Sequence, residues 1–109
     1  MAAPLAKEPR IGFKLAGRTH SLFACFPGKG AEYGAHFDGG NGDPRKLTAI
    51  LYLNEDWRVE DGGALHMYDA TGAQGPCWRS VLPRAGTLVL FRSDRVLHKV
   101  MPSFETRYA

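Results

Sequence analysis

With 109 residues, 12.0 kDa, and 44% hydrophobic against 23% charged side chains, the chain has the size and make-up of one small globular domain, or of a piece of one. No apolar run approaches the roughly 20 residues that cross a bilayer, and Met1–Lys7 lacks the long apolar segment of a secretory signal. No membrane partner is therefore expected, and the expected location is cytoplasmic, or nuclear. The net charge of +3 and pI of about 9.1 raise the question of a nucleic-acid partner. Yet the basic residues (Lys14, Arg18, Lys29, Arg45, Arg79, Arg95) are scattered and form no run longer than Arg45-Lys46, which argues for a solvated surface and against a phosphate-binding stripe.

Residues 1–19 read as a poorly defined N-terminal segment, with a short strand at Ile11–Leu15 and a turn at Ala16-Gly17-Arg18. From residue 20 the pattern sharpens into a core that runs to Ala109, with His20 exposed ahead of its first strand. Ser21–Phe26 is a compact apolar run stopped by Pro27-Gly28-Lys29-Gly30, and reads as strand then turn. A strand is expected through Asp38, ended by the turn formers Gly39-Gly40-Asn41-Gly42-Asp43-Pro44. Lys46–Leu53 is the strongest strand signal. Its faces, Leu47/Ala49/Leu51/Leu53 and Thr48/Ile50/Tyr52, are both apolar enough to predict cover on each side.

Asn54–Gly63 is an acidic loop, followed by strands at Ala64–Tyr68, Trp78–Leu82 and Thr87–Phe91 and a short one at His98–Met101. Pro102–Glu105 is expected to turn the chain into Thr106–Ala109. Seven short strands between Gly/Pro turns, with an eighth barely begun and no helical period, predict an all-β antiparallel sandwich or barrel. Cys25 and Cys77 stand alone without Cys-x-x-Cys spacing, so neither a zinc site nor a redox motif is supported. Free thiols are favoured over a disulfide between them in a reducing compartment.

On a strand, His36 and Asp38 share a face. A His-x-Asp triplet is common by chance, but a second histidine from another strand, His98, completes two imidazoles and one carboxylate on one side of a metal. That set leaves the opposite positions open, as in non-haem Fe(II) oxygenases. Arg107, on the segment after the Pro102 turn, is able to face the same cavity, where its fork matches a carboxylate. A 2-oxo acid with a second carboxylate, such as 2-oxoglutarate, would use both features. The competing reading makes Arg107 a surface residue paired with Glu105 or Asp94.

The ordered set Phe26-Pro27-Gly28, Tyr33, His36-x-Asp38, Asn41-Gly42-Asp43, Tyr52-Leu53-Asn54, Trp57, Gly62-Gly63-x-Leu65, Ser93-Asp94-Arg95, His98-x-Val100 and Thr106-Arg107-Tyr108-Ala109 resembles the prolyl-hydroxylase branch of the Fe(II)/2-oxoglutarate oxygenases, in particular the hypoxia-inducible-factor prolyl hydroxylase type. The resemblance covers about residues 21–109. It implies a double-stranded β-helix (jelly roll) and Fe(II) held by His36, Asp38 and His98. It also implies 2-oxoglutarate gripped at its distal carboxylate by Arg107 and Tyr52, in a pocket lined by Thr48, Ile50, Leu65 and Val100. The implied reaction consumes O2 and 2-oxoglutarate, hydroxylates a proline in a protein or peptide and draws on ascorbate. His66 neighbours Leu65 and is expected to point away from the site.

Three departures accompany the resemblance. Phe26 stands where the family commonly has tyrosine, the helical region that precedes the barrel in the family is expected to be missing, and the last strand is expected to be cut short with open edges on both neighbours. Two other functions therefore stand beside the leading one: a truncated, weakly active or inactive remnant that binds metal or a partner, and an oxygenase acting on a small molecule.

Overall fold

The structure is a computed structural model that describes residues 17–19 and 21–109. The expected strand at 11–15, the turn that begins at Ala16 and the exposed His20 lie outside the described residues. Eight strands follow one another: β1 (Cys25–Phe26), β2 (Ala31–His36), β3 (Leu47–Leu51), β4 (Leu65–Asp69), β5 (Cys77–Val81), β6 (Leu88–Arg92), β7 (His98–Ser103) and β8 (Arg107–Tyr108). One 3-10 turn, Val59–Asp61, interrupts the acidic loop. The strands pair as β2-β7-β4-β5, β3-β6 and β1-β8, every pair antiparallel. The chain thus winds back and forth between a four-stranded sheet and the two ribbons, in the order of a double-stranded β-helix.

Alternation along the strands builds the core. β3 and β6 pair from Leu47↔Arg92 to Leu51↔Leu88. Val89 and Phe91 turn inward to join Tyr52 and Leu65, with Ile50, Met67, Val81, Val96 and Val100 packed around them. Each such burial contributes about 1.5–3 kcal/mol. The opposite face of this ribbon departs from expectation: Leu51 and Leu88 are 52% and 51% exposed, and Ala49, Leu53 and Leu90 are exposed as well. Among the described residues no element lies over it, so the second apolar face of β3 is uncovered.

Three strand ends also differ from the sequence reading. The run Ser21–Phe26 contributes only Cys25–Phe26 to a strand, because its partner β8 offers only two residues. β2 stops at His36, and Asp38 sits in the bend beyond it, where the Gly39 N–H donates to the Ser93 carbonyl at 2.8 Å. β7 runs on through Pro102 to Ser103. The missing N–H of Pro102 is no loss at this sheet position, and its carbonyl accepts from the Gly63 N–H at 2.9 Å. β8 pairs with β1, while the second edge of β3 has no strand partner among the described residues. Cys25 and Cys77 are free thiols, both exposed.

Candidate metal centre

The sheet register places two histidines opposite each other. β2 pairs with β7 at Ala31↔Ser103, Tyr33↔Val100 and His36↔His98, with irregularities between these points that bend β2 and bring His36 directly against His98. Their ring centroids are 4.3 Å apart. Tyr33 lies against His36 at 4.2 Å, and Phe91 against the buried His98 at 4.6 Å, so both rings are wedged in place.

Both rings face the same way chemically. Nδ1 of His36 lies 2.7 Å from the Gly34 carbonyl, and Nδ1 of His98 lies 3.0 Å from the Val96 carbonyl. A carbonyl only accepts, so each Nδ1 carries a proton, and in the neutral imidazole each Nε2 then presents a lone pair. Those two Nε2 atoms both lie 3.3 Å from Oδ1 of Asp38. The ligand atoms of His36, Asp38 and His98 fall within 4.8 Å of one another. Three acceptors converging on one point repel unless a cation sits among them. The set of two imidazoles and one carboxylate, with no thiolate, suits Fe(II).

Arg107 occupies the second half of the site. It is 3% exposed, donates from Nε to the Gly63 carbonyl at 2.9 Å and from Nη2 to the Tyr52 hydroxyl at 3.4 Å, and lies against the rings of Phe26 (5.0 Å) and Tyr52 (5.1 Å). Neither acidic partner considered from sequence takes it: Asp94 pairs with Arg92 and Lys46, and among the described residues no carboxylate is within ion-pair distance of Arg107. Burial pulls the guanidinium pKa down, with Tyr52 opposing, and burial likewise pushes the Tyr52 phenol up, with Arg107 opposing. A buried cation without a counterion is costly, and a ligand carboxylate reaching it would relieve that cost. Gly63 makes the approach feasible: its φ is +67°, and a Cβ there would stand 2.9 Å from Cδ of Arg107.

The remaining residues singled out from sequence divide in two. Ile50 and Val100 pack with the fully buried Leu65 against Tyr52, and Leu65 pairs directly with Val100. Thr48 does something else: its hydroxyl donates to Oδ2 of Asp38 at 2.8 Å. His66 lies outside the ligand cluster, beside Trp78, where burial and then Lys99 lower its pKa. Sequence reasoning gave no role to Ser93, fully buried and 2.7 Å from the Thr48 hydroxyl. Its only sequence signal was its place in Ser93-Asp94-Arg95 just after a strong strand. Phe37, Met67 and Phe91, each adjoining a ligand, line a groove of about 530 Å³ together with Arg95, Val96 and Leu97.

The model of the 2OG-Fe(II) oxygenase superfamily matches residues 21–109. Egl nine homolog 1 from Homo sapiens is 41% identical over 99 residues, which cover 89% of this chain and 22% of that protein. Among solved structures, a prolyl hydroxylase from Trichoplax adhaerens, in complex with a hypoxia-inducible-factor oxygen degradation domain peptide fragment, superposes with a TM-score of 0.80 at 36% identity, covering 88% of this chain and 43% of that one. A prolyl-4-hydroxylase from Pseudomonas putida gives 0.71 at 43% identity, covering 79% and 45%. The chain therefore spans less than half the length of each of these relatives.

Proposed function

The chain belongs to the 2OG-Fe(II) oxygenase superfamily, and on that premise we propose that residues 20–109 form the core of a dioxygenase that hydroxylates a prolyl residue in a protein or peptide. The observation that carries the reading is the convergence of His36, Asp38 and His98, whose ligand atoms lie within 4.8 Å. In this reading those three hold Fe(II). Arg107 and the Tyr52 hydroxyl hold the distal carboxylate of 2-oxoglutarate, and Thr48, Ile50, Leu65 and Val100 wall the pocket. The proline target is supported by the two solved structures, a prolyl hydroxylase and a prolyl-4-hydroxylase.

Held by His36, Asp38 and His98, iron with 2-oxoglutarate and O2 would supply the oxidising power, with one oxygen atom going to succinate, formed with CO2, and the other to the hydroxyl on the substrate carbon. The protein contributes position. The Gly34 and Val96 carbonyls fix the imidazole tautomers, and the apolar side chains around Tyr52 keep the Arg107 charge dry and therefore strong toward an anion. The groove beside Phe37 and Leu97 is the approach assigned to the peptide. Ascorbate is proposed as the reductant that keeps iron in its ferrous state. The cytoplasm is proposed as the compartment, in keeping with two exposed free thiols.

Purified protein incubated with Fe(II), 2-oxoglutarate and proline-containing peptides is expected to yield succinate and a peptide that has gained one oxygen on proline. His36→Ala and His98→Ala should abolish both products. Succinate without peptide oxidation would move the substrate to a small molecule. No succinate from protein that binds Mn(II) would leave a metal-binding remnant.

A further inference from the structure

Two hydroxyl groups behind the metal centre form a chain whose direction is set by proton count. The Asp38 carboxylate only accepts, so the single Thr48 proton is spent on Oδ2 of Asp38, at 2.8 Å. The 2.7 Å contact between Thr48 and Ser93 must then run from Ser93 to Thr48. Ser93 is fully buried and held at both backbone ends: its N–H donates to the Lys46 carbonyl at 3.0 Å, and its carbonyl accepts from Gly39, the residue after Asp38, at 2.8 Å. Gly39 lets the chain pass this close, since a Cβ there would collide with the Arg45 carbonyl and lie 3.3 Å from Cβ of Ser93. The end of β6, the start of β3 and the bend carrying Asp38 are thus tied at one point.

Oδ2 is thereby engaged on the side of Thr48, while Oδ1 faces both imidazoles at 3.3 Å. We infer that Ser93 and Thr48 are positioning residues that hold Asp38 to one metal-binding oxygen, keeping a position open on the ion for co-substrate. The inference rests on the metal site of the proposed function. A carboxylate freed of this relay can rotate and chelate through both oxygens. It would then occupy one of the three positions that two histidines and one carboxylate oxygen leave free in an octahedral sphere.

The test uses Mn(II) without turnover. Free Mn(II) is followed by electron paramagnetic resonance, and the waters on the bound ion are counted from line broadening in isotopically labelled water. The parent is expected to retain about three waters on the ion. Thr48→Val should lose one of them and bind Mn(II) roughly 10-fold more weakly, in the range expected when an outer partner of a ligand is removed. Thr48→Ser keeps the donor and should restore both readings, which a loss of packing alone would not allow. Ser93→Ala should shift both readings in the same direction and add nothing on top of Thr48→Val, because it acts through the same hydroxyl. It also carries the test if the valine variant melts early by circular dichroism. An unchanged water count with affinity within about twofold of the parent in the variants overturns the relay, as does failure of Thr48→Ser to restore them. A parent that binds no Mn(II) overturns the metal site itself, and the relay with it, a result distinguishable because it needs no variant.

Discussion

Arg107 carries a full charge at 3% exposure, and its two hydrogen-bond partners, a carbonyl and a phenol, are both neutral. Such a group is stabilised mainly when an anion arrives. Removing one partner of a buried hydrogen-bonded charge pair costs about 2–5 kcal/mol, equivalent to roughly 30-fold or more in affinity. Arg107→Ala should therefore raise the 2-oxoglutarate concentration for half-saturation by at least that factor, with Mn(II) affinity within about twofold of the parent. Tyr52→Phe removes one hydroxyl contact worth about 1 kcal/mol and should raise it roughly fivefold. Isothermal titration of the Mn(II)-loaded protein separates the two; equal losses in both would place the carboxylate elsewhere. The convergence of His36, Asp38 and His98 and the inward turn of Arg107 were legible in the sequence because such side chains are scarce and demand a partner. The relay from Ser93 through Thr48 to Asp38 was not, although Thr48 was expected in the pocket wall, because a hydroxyl is satisfied almost anywhere and only packing decides which acceptor it meets.

β8 is only two residues long and cannot hold Arg107 in place by its ladder alone. Asn54 makes up the difference. It is buried, donates from Nδ2 to the carbonyls of Pro83 (2.8 Å) and Tyr108 (2.9 Å), and accepts from the Tyr108 N–H at 2.7 Å. Asn54→Ala leaves those groups unpaired, at about 1–3 kcal/mol each for a buried one. It should lower both the melting temperature and 2-oxoglutarate affinity while Mn(II) affinity holds, since no metal ligand touches it. A second clamp joins the start of β3 to the end of β6: Asp94 binds Arg92 at 3.1 Å and Lys46 at 3.2 Å. Hydrogen bonds from Arg92 are the largest cause of a drop in its pKa from 3.8 to about 2, with burial opposing. A carboxyl depressed in the folded state stabilises above its unfolded pKa and loses that contribution as pH falls from about 4 toward 2. Urea midpoints measured across this window should fall less steeply in Asp94→Asn. β3, β4 and β6 were legible to within about two residues because alternation and turn residues agree there. β1 was not, since an apolar hexapeptide signals strand regardless of whether its partner is six residues or two.

The ligands of the proposed iron come from β2, the bend after it and β7, so the site lies where the four-stranded sheet meets the β3-β6 ribbon, which carries Thr48 and leads into Ser93. A cation bound there adds a cross-link between the paired strands β2 and β7 and the bend that carries Asp38. Its binding energy then adds to the stability of the whole fold, provided that the unfolded chain, with its ligands dispersed, does not bind. At a metal concentration about 100 times the dissociation constant the gain is about 2.7 kcal/mol. For a domain of this length that corresponds to an upward shift in melting temperature of roughly 10 °C. Mn(II) should produce the shift, a chelator should reverse it, and His98→Ala, which removes the buried ligand, should eliminate it. Arg107→Ala should retain the shift in full, because its guanidinium is not among the three groups that could hold the ion. A metal-induced shift that survived His98→Ala would mean that the ion binds elsewhere, since His98 supplies one of the three groups whose ligand atoms converge at this site.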